Sequence, residues 1–197
     1  MPKGTPLTPA ELLRRRREIQ RAAVDLFIQQ GFNETSMQEV ARAAGVGKST
    51  LYDYFPSKDE ILIAYVVDEV NRMTARAEEI IAQELNAAEK FRRIMRRHLE
   101  YMLENKQMYL RLSFETQRLS MDNQQRIQTH RHAYQDMLCD LVRQGIQNGE
   151  FRPVTPLLAV RGMFSLISAA AFTSRPTGTP QEMMAEVLDI VFKGLEA

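Results

Sequence analysis

The chain carries a single cysteine, Cys139, and no tryptophan among 197 residues. One thiol excludes an internal disulfide framework and fits a reducing compartment. Excess charge is absent as well. The 26 Lys and Arg against 25 Asp and Glu leave +1, too little for a protein that coats nucleic acid over its whole surface. No apolar run approaches the ~20 residues needed to span a bilayer. The longest uncharged stretch of the apolar C-terminal part runs only from Gly162 to Ser174. The opening residues MPKGTPLTPAELLRRRR lack the apolar core of a signal peptide. Stretches that alternate apolar and polar residues are missing too, so no strand competes for the chain. These absences leave a soluble, cytoplasmic, all-α protein with no membrane partner. Apolar residues at 44% and charged residues at 26% match ordinary globular composition.

Helix starts punctuate the chain. Thr8-Pro9-Ala10-Glu11 is a capping box with Pro at the first helical position. The Thr hydroxyl and Glu carboxylate satisfy free N–H groups there, and Pro has none to lose. Ser36–Glu39, Ser57–Glu60 and Thr179–Glu182 repeat the box, and Thr155-Pro156 gives a partial version. The spacing predicts helices over residues 9–30, 37–44, 48–55, 57–85, 87–105, 108–119, 122–148, 156–172 and 180–195. Ile19, Ala22, Ala23, Leu26 and Phe27 lie at i, i+3, i+4, i+7 and i+8, a single core face. Gly45 is expected in the left-handed conformation that ends a helix. Residues 1–58 hold nine Lys/Arg and six Asp/Glu, while the remainder holds seventeen and nineteen. The basic surplus therefore sits with the two short helices.

Those short helices, joined through Gly45-Val46-Gly47, have the form of a helix-turn-helix, whose second helix suits the major groove. The spacings Ile19-x-x-Ala22-Ala23-x-x-Leu26-Phe27-x-x-x-Gly31-Phe32, Thr35-Ser36-x-x-x-Val40-Ala41-x-x-Ala44-Gly45-Val46 and Leu51-Tyr52-x-Tyr54-Phe55-x-x-Lys58 resemble the TetR family of bacterial regulators. The likeness covers roughly residues 15–65. Gly47 stands where members often carry a Ser cap.

The resemblance implies an N-terminal three-helix DNA-binding domain (residues 1–56) followed by a helical effector-binding and dimerisation domain (residues 57–197). It implies that Lys48, Ser49 and Thr50 face base edges, with Gln38 and Arg42 reaching bases or backbone. Tyr52, Tyr54 and Lys58 match the family's phosphate contacts. Thr35 and Ser36 would add contacts at a helix N-terminus, which favours anions. Leu51 and Phe55 are read as small-core residues. The Arg14–Arg17 run is either a DNA arm or a solvated helix turn. At most two of its four residues can face one surface.

Other signals fail. Gly47-Lys48-Ser49-Thr50 has the end of a phosphate-binding loop, but that motif needs a Gly where Arg42 stands and a strand before it. His130-x-His132 points its rings ~200° apart, so it is no zinc pair. No catalytic constellation stands out, and no metal or cofactor is expected.

His98 falls on the apolar face of Phe91, Ile94, Met95, Leu99 and Met102. It is either a core histidine satisfied by a hydrogen bond or a polar anchor for a ligand. The family's regulatory domain encloses an effector among its middle helices. The candidate lining is Met95, His98, Met102, Tyr109, Phe114, Gln117, Tyr134 and Met137, suited to a small apolar or amphipathic molecule. The family also pairs its last two helices across a two-fold axis. Leu158, Met163, Phe164, Ile167, Met184, Val187, Leu188 and Val191 are the candidate homodimer contacts, and two-fold symmetry suits a palindromic operator. The expectation is a repressor of double-stranded operator DNA released by an effector. Its rivals are an activator, a regulator with no small effector, and a helical ligand-binding or enzymatic module that no longer uses its DNA-binding pattern.

Overall fold

A computed structural model describes residues 8–195. Nine helices form among the described residues: α1 (Pro9–Gln29), α2 (Met37–Ala43), α3 (Lys48–Tyr54), α4 (Lys58–Ile81), α5 (Ala87–Glu104), α6 (Lys106–Arg118), α7 (Met121–Gln147), α8 (Pro156–Phe172) and α9 (Pro180–Leu195). No helix among the described residues is long and apolar enough to cross a membrane. The MPKGTPL segment lies outside the described residues.

The caps account for most helix starts. The Glu11 carboxylate accepts the Thr8 N–H at 2.8 Å while the Thr8 hydroxyl accepts the Glu11 N–H at 3.3 Å. Ser36 with Glu39, and Thr179 with Glu182, close the same reciprocal pair. Ser57 caps through its hydroxyl, which accepts the Glu60 N–H at 3.2 Å. Two sequence expectations change. Thr155 makes no side-chain cap bond. Helix α4 ends at Ile81 rather than near residue 85, because Asn86 must already be extended to cap α5. The Asn86 side chain accepts the Glu89 N–H at 2.8 Å, and Glu150 accepts the Ala88 N–H at 2.8 Å from far along the chain. Gly45 is left-handed at φ 64°, as its place after α2 demands.

The described chain divides into two compact units: the residues up to Val67 with Arg111–Gln124, and Asp68–Leu110 with Gln125 onward. In the first, α1 packs on α2 and α2 on α3. Ile19, Ala23, Val24, Phe27, Val40, Ala41, Leu51, Phe55 and Ile61 are buried there. The second unit packs α5, α8 and α9 on one another. Phe91 is fully buried, with the rings of Phe151 and Phe192 each 5.9 Å away and edge-on. Burying such a side chain contributes roughly 1.5–3 kcal/mol. Phe151 lies against bare backbone: a Cβ on Gly145 would stand 2.3 Å from its ring. Only glycine lets α7 approach so closely.

Candidate nucleic-acid interface

Helix α3, seven residues or about two turns long, is amphipathic. Leu51, within it, and Phe55, its C-cap, are buried. Lys48, Ser49 and Thr50 are exposed, Tyr52 is 44% exposed, and Tyr54 is half-buried. On α2, Val40 and Ala41 point inward while Gln38 and Arg42, one turn apart, are exposed. Seven of the ten expected DNA-contacting side chains therefore stand at the surface of one unit, presented by a core that fixes their helices. Gly47 opens α3 without a side-chain cap bond, as the absent Ser implies.

Three of the ten residues are engaged inside the protein. Thr35 is buried; its hydroxyl donates to the Gly31 carbonyl at 2.6 Å and accepts from the Gln30 amide at 3.3 Å. It holds the turn between α1 and α2 and offers no hydroxyl to an anion. Ser36 gives both its N–H (2.8 Å) and its hydroxyl (2.7 Å) to the Glu39 carboxylate. Those bonds hold the Glu39 carboxyl below its ordinary pKa, so a fixed negative charge already occupies this helix N-terminus. An external phosphate is disfavoured there. Lys58 donates to the carbonyls of Phe32 at 2.6 Å and Asn33 at 3.2 Å. One of its three N–H groups remains for another partner.

The arginine run disperses around its helix. Arg14 and Arg15 both reach Glu18, at 3.7 and 3.1 Å, in open solvent. Arg16 turns the other way, 4.7 Å over the Phe55 ring. Exposed pairs of this kind add at most ~1 kcal/mol.

In the second unit His98 meets aromatic rings: Phe164 at 4.9 Å, and Tyr134 at 6.0 Å and nearly parallel. Its Nδ1 is buried with no hydrogen-bond partner among the described residues. The expectation of a core histidine satisfied by a hydrogen bond therefore fails for this nitrogen. Burial without compensation pulls the imidazole pKa down to about 4. Beside it lies a cavity of about 20 Å³ lined by Met73, Arg76, Ala77, Ile80, Ile94, Arg97, His98, Tyr101 and Tyr134. That is room for about one water. Tyr109 adjoins this group, its hydroxyl 3.8 Å from the Met73 sulfur and its ring 5.9 Å from Tyr101.

Of the eight expected lining residues, His98 and Tyr134 line the cavity and Tyr109 stands behind it. Met95 and Met102 are packed into the core, and Met137 lies partly buried against it. Phe114 is 67% exposed and Gln117 is exposed, both in the first unit. The α4 wall of Met73, Ala77 and Ile80 was missed. Its i, i+4, i+7 spacing was the available signal.

Most of the expected dimer contacts are largely buried within the subunit itself. Met163, Ile167, Val187, Leu188 and Val191 are buried in the chain's own core, because α8 and α9 use their apolar faces on each other and on α5. Phe164 and Met184 are partly buried against it. Only Leu158, at 70% exposure, is free; Leu166 and Ile190, at 38% and 53%, join it at the surface. Leu158, Gly162 and Leu166, together with the largely buried Met163 and Val191, line an open apolar groove of about 260 Å³.

Among the described residues no group of three His, Cys, Asp or Glu is placed to hold a metal. His130 Nδ1 stands 2.9 Å from the Asn71 side-chain oxygen instead.

A helix-turn-helix unit joined to a separate helical unit defines a DNA-binding regulator. The family model described as bacterial regulatory proteins, tetR family, matches residues 19–65, and the tetracyclin repressor-like C-terminal domain matches residues 84–195. The chain belongs to the TetR family and is a transcriptional regulator. It is 27% identical over 188 residues to the HTH-type transcriptional repressor KstR2 of Mycobacterium tuberculosis, covering 92% of each chain. The solved TetR family regulator PfmR of Thermus thermophilus is 29% identical, with TM-score 0.74 over 91% of this chain and 99% of its own. The transcriptional regulator FadR of Bacillus subtilis, solved in complex with stearoyl-CoA, shares the fold at TM-score 0.79 and 24% identity, over 90% and 98%. All three similar proteins are described as transcriptional regulators, and none as an enzyme.

Proposed function

We propose that this regulator is a homodimeric repressor that reads a palindromic operator through α3 and releases it on binding a small amphipathic effector. The exposed face of α3 carries the reading, because buried Leu51 and Phe55 aim Lys48, Ser49, Thr50 and Tyr52 outward. Lys48, Ser49 and Thr50 meet base edges in the major groove, with Gln38 and Arg42 flanking them. Tyr52, Tyr54 and the free N–H of Lys58 contact phosphates and set the register. Thr35 and Ser36 shape the turn before α2. The DNA-binding domain ends near residue 56, and the effector and dimer functions fall to the remainder.

Two copies join through Leu158, Gly162 and Leu166 of α8 with Ile190 of α9. The effector binds around His98 and Tyr134. The stearoyl-CoA bound by the similar FadR makes an acyl thioester the first compound to try. Helix α4 runs from Lys58 to Ile81, and the effector's signal passes along it. An effector must bind the DNA-incompetent arrangement more tightly, since only that difference moves the population.

Selection of duplexes from a random DNA pool tests this, with a Tyr52→Ala control. The expected result is a palindrome enriched by the native chain and lost with the control. No enrichment at low salt, from protein shown by mass spectrometry to carry no ligand, would overturn it.

A further inference from the structure

The expected DNA contacts of α3 are neutral or cationic, yet the helix also presents one carboxylate, Asp53. Asp53 is exposed. It stands two positions after the buried Leu51, ~200° round the helix from it. Ser49 lies one turn before it and is exposed as well, so Ser49 and Asp53 share the outward face. Among the described residues Asp53 takes part in no ion pair or side-chain hydrogen bond. The last turn of α3 holds no basic residue to offset it.

This placement is unfavourable twice over. A carboxylate in the last turn of a helix meets the negative end of the helix dipole. On a duplex it also approaches a polyanion carrying one charge per ~1.7 Å of axis. A carboxylate left merely solvated at this face would weaken binding to every sequence alike. It helps only where the groove offers it a hydrogen-bond donor. In the major groove the donors are cytosine N4 and adenine N6. Adenine sets its N7 acceptor beside the amine, and that lone pair repels a carboxylate oxygen. Guanine presents the acceptors O6 and N7, and thymine presents O4 beside a methyl group. Cytosine alone carries a donor with no acceptor on the same base.

We propose that Asp53 reads cytosine: one carboxylate oxygen accepts a hydrogen bond from the N4 amine of a cytosine in each operator half-site, and the same charge rejects guanine and thymine there. The proposal rests on the operator reading above and adds a base identity and the residue that sets it.

Duplex selection from a random pool tests it, using the full-length native chain, Asp53→Asn and Asp53→Ala. All three are run in EDTA, so that no metal ion bridges the carboxylate to DNA. The native chain should enrich a palindrome with cytosine fixed at one position of each half-site. Asp53→Asn keeps the shape and gains a donor, so preference at that position should move to adenine, whose N6 and N7 suit an amide. Asp53→Ala should accept all four bases there. Replacing the cytosine by guanine should weaken the native complex about tenfold and the Asp53→Ala complex hardly at all, as read by fluorescence anisotropy. Both variants should melt no lower than the native chain, because the charge removed is exposed and opposes the helix dipole. Tighter binding of both variants to every duplex, with the selected sequence unchanged, would overturn the proposal and leave the operator reading standing; Asp53 would then be a solvated charge that repels DNA. No palindrome from the ligand-free native chain at low salt would overturn both.

Discussion

Lys58 Nζ donates to the Phe32 carbonyl at 2.6 Å, from the first residue of α4 back to the turn after α1. The ammonium also stands 4.8 Å over the Phe32 ring, which packs edge-on to Phe27. One side chain therefore ties the turn that feeds α2 to the start of α4. Lys58→Met should destabilise the fold by about 1–2 kcal/mol, the range for charge-assisted bonds that remain partly wet. Urea unfolding measures this. An unchanged midpoint would mean that the ammonium leaves the carbonyls in solution.

Phosphate and base contacts predict different mutant behaviour. Tyr52→Phe removes one hydroxyl and should weaken binding by roughly 0.5–1.5 kcal/mol on every duplex alike. Lys48→Ala should cost roughly 1–3 kcal/mol on the operator and relax preference at one base pair. Fluorescence anisotropy on operator and scrambled duplexes separates the two. Equal loss on both duplexes for Lys48→Ala would move Lys48 to the phosphate group.

His98 gives a pH dependence of definite sign. Its pKa falls from the ordinary histidine value of 6.5 to about 4 on folding, because burial disfavours the charged ring. The unfolded chain therefore binds the extra proton first. Stability is complete above pH ~6.5, falls with pH through that window, and levels off below the folded pKa. The full loss is on the order of 3 kcal/mol. Urea midpoints between pH 7 and 4 should show the fall, and His98→Phe should reduce its slope. Identical slopes would show that the imidazole reaches water.

The sequence made helices legible and left helix partners obscure. Caps such as Thr8–Glu11 and Ser36–Glu39 are local, so four residues specify them. Gly45 likewise announces its own conformation. Leu51 and Phe55 could be placed inside because a short helix with one exposed side has a single apolar face. Thr35 misled for the opposite reason: a hydroxyl beside a helix N-terminus looks available until the Gly31 carbonyl, brought near by the turn, takes it. The α4 wall of the cavity was invisible in the same way. Met73, Ala77 and Ile80 form an apolar face whichever neighbour they meet, and periodicity does not name the neighbour.

Helices α8 and α9 show that ambiguity most clearly, and it can be tested by mutation. The α8 sequence is apolar nearly all round and α9 has a broad apolar face, so α8 above all must cover two surfaces, the chain's own core and something else. Ile167 is fully buried, whereas Leu158 is 70% exposed on the same helix. Ile167→Ala should therefore cost about 2–5 kcal/mol of folding stability while the folded fraction still dimerises. Leu158→Glu should leave the folded subunit stable, since a surface position seldom matters by more than ~0.5 kcal/mol, but two copies would bring like charges into an apolar seam. Sedimentation velocity should show Leu158→Glu as a monomer. Operator affinity should fall with it, because half-sites joined by two-fold symmetry need both copies. A Leu158→Glu protein that remains a dimer would place the interface elsewhere.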